Sequence, residues 1–183
     1  MSTLDTLSDE ELIQAVLGGE KHLYAVIVRR YQQLVANLIF KMAGDAIDVE
    51  EATQQVFVEL YSALPRFKNK SQFSTYIYRI AVNIANKMLH SSKRYLFSST
   101  DTPFDTPSGD RNIEQQLIRG EQQQIVRRAI GQLKPEQRTA LILCTYDDFS
   151  YQQIADVMQV SLSKVESLIF RAKKNLKQMI KSL

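Results

Sequence analysis

An apolar stripe between residues 73 and 88 constrains the fold more than any other part of the sequence. Eight apolar side chains recur every three or four residues: Phe73, Tyr76, Ile77, Ile80, Ala81, Ile84, Ala85 and Met88. This 3.6-residue period, kept through about four turns, is typical of an amphipathic helix with one buried face. The opposite face is polar and carries Arg79, Asn83, Asn86, Lys87 and His90.

Similar periodicity along the rest of the chain predicts an all-α protein. In the first half of the chain the patterns indicate helices at residues 9–17, 21–42 and 49–63, and a fourth helix whose N-cap is Ser71. In the second half they indicate helices at residues 113–132, 135–146, 151–158 and 162–182. Ser8 with Glu11, and Ser150 with Gln153, form capping boxes that mark two helix starts. Only six Gly and four Pro occur in 183 residues, which argues against a turn-rich sheet protein.

Residues 96–112 interrupt this pattern and predict a flexible linker. The segment is rich in Ser, Thr, Asp, Pro and Gly and has no helical period. It divides the chain into two small helical domains, residues 1–95 and residues 113–183.

Composition indicates a soluble cytoplasmic protein. Hydrophobic residues make up 44% and charged residues 23% of the chain, as in ordinary globular proteins. The single cysteine, Cys144, lies in an apolar run, so a disulfide framework is excluded and a reducing compartment is expected. No secretory signal or membrane-spanning segment is visible, and we expect no membrane insertion.

Charge is segregated along residues 44–94. Residues 44–64 contain five acids and neither Lys nor Arg, whereas residues 65–94 contain seven Lys or Arg and no acid. An acidic helix is therefore followed directly by a basic segment. This pattern predicts two surfaces with different partners, a basic protein face and a polyanion.

The last third of the chain has the spacing of a helix-turn-helix. A short helix at residues 151–158, a turn at 159–161 and a long helix from 162 would share a core of Ile154, Met158, Val160, Val165 and Leu168. The second helix becomes basic from Arg171 and would fit a DNA major groove. Gln159 occupies the turn position usually taken by Gly, where a left-handed backbone costs about 1 kcal/mol. The alternative is a plain helical hairpin with a solvated basic face.

Together these segments resemble the extracytoplasmic-function (ECF) class of bacterial sigma factors over nearly the whole chain. The matching residues of the first domain are 49–57 (VEEATQQVF), Phe67, 73–81 (FSTYIYRIA) and Asn83. Those of the second are 133–138 (LKPEQR), 150–155 (SYQQIA), Arg171 and Ala172. The resemblance implies a dissociable specificity subunit of RNA polymerase that recognises promoters.

The resemblance also implies three sets of site residues. Core polymerase would be bound through the acidic helix by Asp48, Glu51, Gln54, Gln55 and Glu59. The single-stranded minus-ten element would be bound by Lys68, Asn69, Lys70, Ser71, Gln72, Ser74, Arg79, Asn83 and Lys87. The duplex minus-thirty-five element would be bound by Ser163, Lys164, Glu166, Ser167, Phe170, Arg171 and Lys174.

Several positions depart from the family pattern. Lys164, Glu166 and Leu168 stand where Thr, Lys and Arg are frequent, so a promoter sequence cannot be transferred. Glu166 could accept a hydrogen bond from cytosine or could cap the helix from Ser163. Tyr76 stands where Trp is common, and its place on the apolar stripe favours a core role over a stacking platform. Family members are commonly held inactive by an anti-sigma protein, so a partner of this kind is expected.

Two other classes of function are open to test. A stand-alone helix-turn-helix regulator would bind duplex DNA through the second domain without polymerase. An enzyme is disfavoured, because the chain has only His22, His90 and one cysteine, no Gly-rich phosphate loop and no cluster with metal-ligand spacing. We therefore expect no catalytic residue, cofactor or metal.

Overall fold

A computed structural model describes residues 7–68, 71–96, 125–126, 128–147 and 149–181. Within these ranges the regular structure is helical and no strand occurs, which confirms the all-α fold. The predicted linker lies almost wholly outside the described residues, as does the first part of the helix predicted at 113–132. Residues 128–132, at the end of that helix, are helical.

The N-terminal helical group consists of α1 (Asp9–Leu17), α2 (Tyr24–Ala43), α3 (Val49–Ala63) and α4 (Phe73–Leu96). Short 3-10 turns at Lys21–Leu23, Gly44–Ala46 and Leu64–Arg66 connect them. At the start of α1, the Glu11 amide donates to Ser8 Oγ (3.2 Å) and the Ser8 amide donates to Glu11 Oε2 (2.7 Å). This confirms the first capping box, and the backbone bond from Ser8 lowers the pKa of Glu11.

The start of α4 differs from the prediction. Ser71 does not cap it, because the helix begins two residues later, at Phe73. The Tyr76 amide donates to the Gln72 carbonyl (3.2 Å), so Gln72 stands at the helix boundary. Ser71 therefore belongs to the loop before α4.

The C-terminal helical group consists of α5 (Pro135–Tyr146), α6 (Tyr151–Met158) and α7 (Leu162–Lys181). The second capping box is present, with the Gln153 amide donating to Ser150 Oγ (3.3 Å) and the Ser150 amide to Gln153 Oε1 (2.9 Å). Gln159 has φ 54° and ψ 47°, which confirms the predicted left-handed turn after α6.

The core of the N-terminal group lies between α2, α3 and α4, and the predicted stripe of α4 faces it. Ile77, Ala81 and Ala85 are fully buried. The Tyr24 hydroxyl donates to the Phe57 carbonyl (2.5 Å) and joins α2 to α3. Arg30 and Tyr31 of α2 both hydrogen-bond the Asp9 carboxylate, which fixes α1 against α2.

The two helical groups pack against each other. One continuous hydrophobic cluster contains buried residues from both, among them Ile84 of α4 and Ile154 and Val157 of α6. A second apolar stripe on α4, formed by Tyr78, Val82, Ala85 and Leu89, is buried as well. Ala85 belongs to the predicted stripe as well, but the sequence analysis did not identify Tyr78, Val82 and Leu89, which lie beside that stripe on the helix surface.

Candidate functional site

The acidic side chains of α3 form an exposed face. Glu51, Gln54, Gln55 and Glu59 all point to solvent, while Ala52, Val56 and Leu60 are buried beneath them. The structure thus brings together four of the five residues predicted to bind polymerase. The four side chains offer carboxylate and amide oxygens to a partner that carries donors or positive charge.

Asp48 has a local role that the sequence analysis did not assign. Its carboxylate accepts hydrogen bonds from the Glu50 amide (2.9 Å) and the Glu51 amide (3.0 Å). It is therefore the N-cap of α3 and satisfies two of the free amides at the helix start. Asp48 is exposed, but its hydrogen bonds stabilise the acidic helix itself.

The same face contains an apolar residue that was missed. Val58 is 69% exposed and lies one turn from Gln54 and Gln55. Tyr61 follows one turn later, half-exposed, with its ring 4.9 Å from that of Tyr24 in an edge-to-face contact. An apolar centre with a polar rim is the usual composition of a protein interface. The available signal was the position of Val58 on the helix face that also carries Gln54, Gln55 and Ser62, opposite the apolar stripe.

An aromatic cluster supports the loop before α4. The Phe67 ring lies 5.2 Å from Phe73 and 4.9 Å from Tyr76, and Phe73 lies 5.7 Å from Tyr31 of α2. The loop between Phe67 and Phe73 is therefore held at both ends by buried or half-buried rings. Its described side chains are exposed at Lys68 and Gln72 and half-buried at Ser71. Asn69 and Lys70 lie outside the described residues.

The outer face of α4 continues from this loop. Arg79, Asn83 and Lys87 recur every four residues, with Asn83 and Lys87 exposed and Arg79 half-buried. Ser74, also half-buried, lies near the start of the helix. The Arg79 guanidinium lies over the Tyr76 ring, 4.8 Å from its centre, in cation–π geometry. Tyr76 is thus half-buried: its ring contacts the Phe67 ring in the aromatic cluster and the Arg79 guanidinium on the outer face.

The helix-turn-helix of α6 and α7 has the predicted core. Ile154, Val165 and Leu168 are buried, and Met158 and Val160 are half-buried around the turn. The Lys164 amide donates to Ser161 Oγ (3.3 Å), so Ser161 caps α7. Glu166 makes no such contact among the described residues, and the capping alternative for Glu166 is therefore wrong.

One face of α7 is open to solvent along its length. Ser163, Lys164, Glu166, Phe170, Arg171 and Lys174 are exposed, and Ser167 is half-buried. Phe170 is 69% exposed, although it is a large aromatic residue. Lys164 Nζ lies 2.8 Å from Glu136 Oε1 of α5, a solvent-exposed ion pair across the two helices.

Neither a metal site nor a membrane span is visible in the described part of the chain. No three His, Cys, Asp or Glu side chains described here are placed to hold a metal ion. Among the described helices, none combines the length and apolar character that crossing a bilayer requires.

Comparisons with known proteins identify the family of this chain. Residues 27–95 match the family model described as Sigma-70 region 2, and residues 123–176 match the model described as Sigma-70, region 4. The chain is 33% identical to the RNA polymerase sigma-H factor of Pseudomonas aeruginosa, over 96% of this chain and 95% of the relative. It is 32% identical to the ECF RNA polymerase sigma-E factor of Escherichia coli K12, over 98% and 97%.

Two solved structures share the fold. CnrH, in complex with the cytosolic domain of CnrY, superposes with a TM-score of 0.67 at 20% identity, over 93% of this chain and 96% of that one. The sigma factor RpoE of Bartonella quintana, in complex with the anti-sigma factor NepR, gives 0.65 at 16% identity, over 86% and 96%. Both sigma-factor relatives align with this chain over at least 95% of their own length, and the two sigma-70 family models match successive parts of it. The chain therefore belongs to the ECF class of RNA polymerase sigma factors.

Proposed function

We propose that this protein directs core RNA polymerase to a specific set of promoters and acts in the cytoplasm as a dissociable subunit. The observation that carries the proposal is the separation of three exposed surfaces on one chain. These are the acidic face of α3, the basic loop and outer face of α4, and the basic face of α7.

The acidic face is the proposed contact with core polymerase. Glu51, Gln54, Gln55 and Glu59 present oxygens on one side of a well-supported helix, with Val58 among them. In the sigma family this helix binds basic side chains of the clamp helices in the largest polymerase subunit. Charge complementarity favours encounter, and desolvation of Val58 would add affinity.

The loop and outer face of α4 are the proposed minus-ten site. A base turned out of the duplex needs a pocket with polar groups, and the neighbouring phosphates need cations. Lys68, Ser71, Gln72 and Ser74 border the loop, and Arg79, Asn83 and Lys87 line one side of the helix after it. We include Asn69 and Lys70 in this site on the family resemblance alone.

The exposed face of α7 is the proposed minus-thirty-five site. Replacing Arg171 with Ala should weaken binding to upstream duplex DNA and reduce the slope of log K against log salt by about one, because one phosphate contact is lost. The measurement is a salt titration of duplex binding. Lys21→Ala, which removes an exposed cation of the other helical group, is the matched control. An unchanged salt slope in Arg171→Ala would remove this residue from the phosphate contacts.

An inhibitory protein partner is the proposed source of regulation. Both structural neighbours were solved with a bound protein, the cytosolic domain of CnrY in one and the anti-sigma factor NepR in the other. We infer that an anti-sigma factor holds this protein inactive by covering surfaces that polymerase needs.

Transcription from a genomic DNA library tests the function directly. Core polymerase would be assayed with and without this protein, and the 5′ ends of the transcripts would be mapped. New discrete start sites that require the protein are expected, and their upstream sequences would reveal both promoter elements.

The competing function predicts a different result. A stand-alone helix-turn-helix regulator would protect duplex sites without polymerase and would create no new start sites with core polymerase alone. That outcome would overturn the sigma-factor proposal, since the acidic face would then have no polymerase to bind.

A further inference from the structure

The turn between α5 and α6 contacts the N-terminal helical group through Asp147. Its carboxylate oxygen Oδ1 accepts a hydrogen bond from Lys41 Nζ of α2 at 2.9 Å and lies 3.4 Å from the Tyr78 hydroxyl of α4. The Asp147 side chain is only 9% exposed. Two residues later, the Phe149 ring lies 4.6 Å from the ring of Tyr78. Tyr78 therefore makes both a polar contact with Asp147 and an aromatic contact with Phe149.

Arg138 forms a second connection between the groups. Its guanidinium donates to the Met42 carbonyl at the end of α2 (3.1 Å) and to the carbonyls of Gly131 (2.5 Å) and Leu133 (3.3 Å) in its own group. The side chain is 4% exposed. One arginine thus satisfies backbone carbonyls on both sides of the contact.

The apolar stripe Tyr78, Val82, Ala85 and Leu89 is the surface on which this contact rests. Its side chains are between 0% and 8% exposed, and α4 packs against α6. A large apolar face of this kind is normally covered in a soluble protein. Here Tyr78, Val82 and Ala85 belong to one buried cluster with Ile154 and Val157 of the C-terminal group.

The packed arrangement is too small to reach both promoter elements. Sites centred near minus ten and minus thirty-five are about 25 base pairs apart, or about 85 Å of duplex at 3.4 Å per base pair. A compact chain of 183 residues has a radius of gyration of about 16 Å, and hence a diameter of about 40 Å. The 29 residue steps from 96 to 125 can span about 95 Å when extended. Binding both elements therefore requires the groups to separate, and the connecting chain is long enough.

We propose that the α5–α6 turn is an intramolecular latch: Asp147 and Phe149 dock on Lys41 and Tyr78 and hold the free protein closed, and the latch must open before both promoter elements can be bound. The closure itself rests on these contacts alone. Its consequence for promoter binding rests on the proposed function.

Small-angle X-ray scattering of the free full-length protein tests the closure without polymerase or DNA. The wild type should have a radius of gyration near the compact value of about 16 Å. Asp147→Lys places two cations together and should raise the open population about tenfold or more, with a radius of gyration larger by about 5 Å or more. Lys41→Asp instead places two carboxylates together and should raise the radius of gyration by a similar amount.

Two further variants separate loss of the latch from general effects of charge or folding. Lys41→Asp with Asp147→Lys restores an opposite-charge pair and should restore the compact radius. Asp156→Lys makes the same charge change at an exposed position of α6, where the Asp156 carboxylate contacts Gln152 of its own helix, and should leave the radius unchanged. Helical circular dichroism must match the wild type in each variant.

Two results would overturn the latch. One is a wild type that is already extended, and the other is a folded Lys41→Asp variant that stays as compact as the wild type. Failure of the proposed function would look different: the scattering results would stand, while the opened variants would create no start sites with core polymerase.

Discussion

Gln159 is the residue whose backbone conformation departs most from what its side chain prefers. It is the one described non-glycine residue with positive φ, at 54°. Gln159→Gly should stabilise the protein by about 0.5–1 kcal/mol, because Gly adopts the left-handed region without strain. Urea unfolding measures the change. The same substitution at exposed Gln152, within α6, should instead destabilise by a similar amount, and a stabilised Gln152→Gly would contradict the conformational explanation.

Arg138 illustrates how one polar residue supports several segments. Arg138→Ala leaves three carbonyls without their donor, so we expect a loss of about 3 kcal/mol or more in the free energy of unfolding. Thermal or urea denaturation gives the value. Arg128→Ala, at an exposed position ten residues earlier, should change stability by less than about 0.5 kcal/mol. Equal losses in the two variants would show that Arg138 acts only as a surface charge.

At the scale of an element, α3 combines a buried stripe with a charged outer face. Glu51→Lys with Glu59→Lys should leave the fold intact and weaken association with core polymerase by about tenfold or more, since two acids of the outer face become cations. Co-purification or titration with labelled core enzyme measures this. Glu10→Lys with Glu20→Lys makes the same charge change at exposed positions outside α3. If both double variants bound alike, net charge rather than the face of α3 would govern binding.

At the scale of the whole molecule, the shared hydrophobic cluster should make the two helical groups unfold together. The chain has no Trp, so Tyr61→Trp and Tyr151→Trp provide single reporters in the N-terminal and C-terminal groups. We expect the two reporters to give the same urea midpoint, because one cluster contains buried residues of both groups. In an Asp147→Lys background the midpoints should separate. Separate midpoints in the unaltered background would mean that the groups unfold independently.

The sequence predicted local structure with high accuracy. The bounds of α1 and α3, both capping boxes and the left-handed Gln159 follow from side chains within a few residues of each other. It also identified the exposed polar residues of α3 and six of the seven residues predicted to be exposed on α7, because residues opposite an apolar stripe face solvent; it missed Val58 of α3. The start of α4 was displaced by one residue: Ser71 has the right side chain for an N-cap, but Gln72 occupies the boundary position and the helix begins at Phe73.

What the sequence determined by itself was the helices of the described residues, one buried face on each of the longer ones, and the family to which the chain belongs. Periodicity and capping are local properties, so they can be seen without knowing the partner of any face. Only the tertiary structure revealed that Tyr78 and Val82 form a second buried stripe and that Asp147 lies beside Lys41, 106 positions away in the chain. Contacts over such separations depend on how whole helices pack, because an apolar face specifies that it must be covered but not which surface covers it.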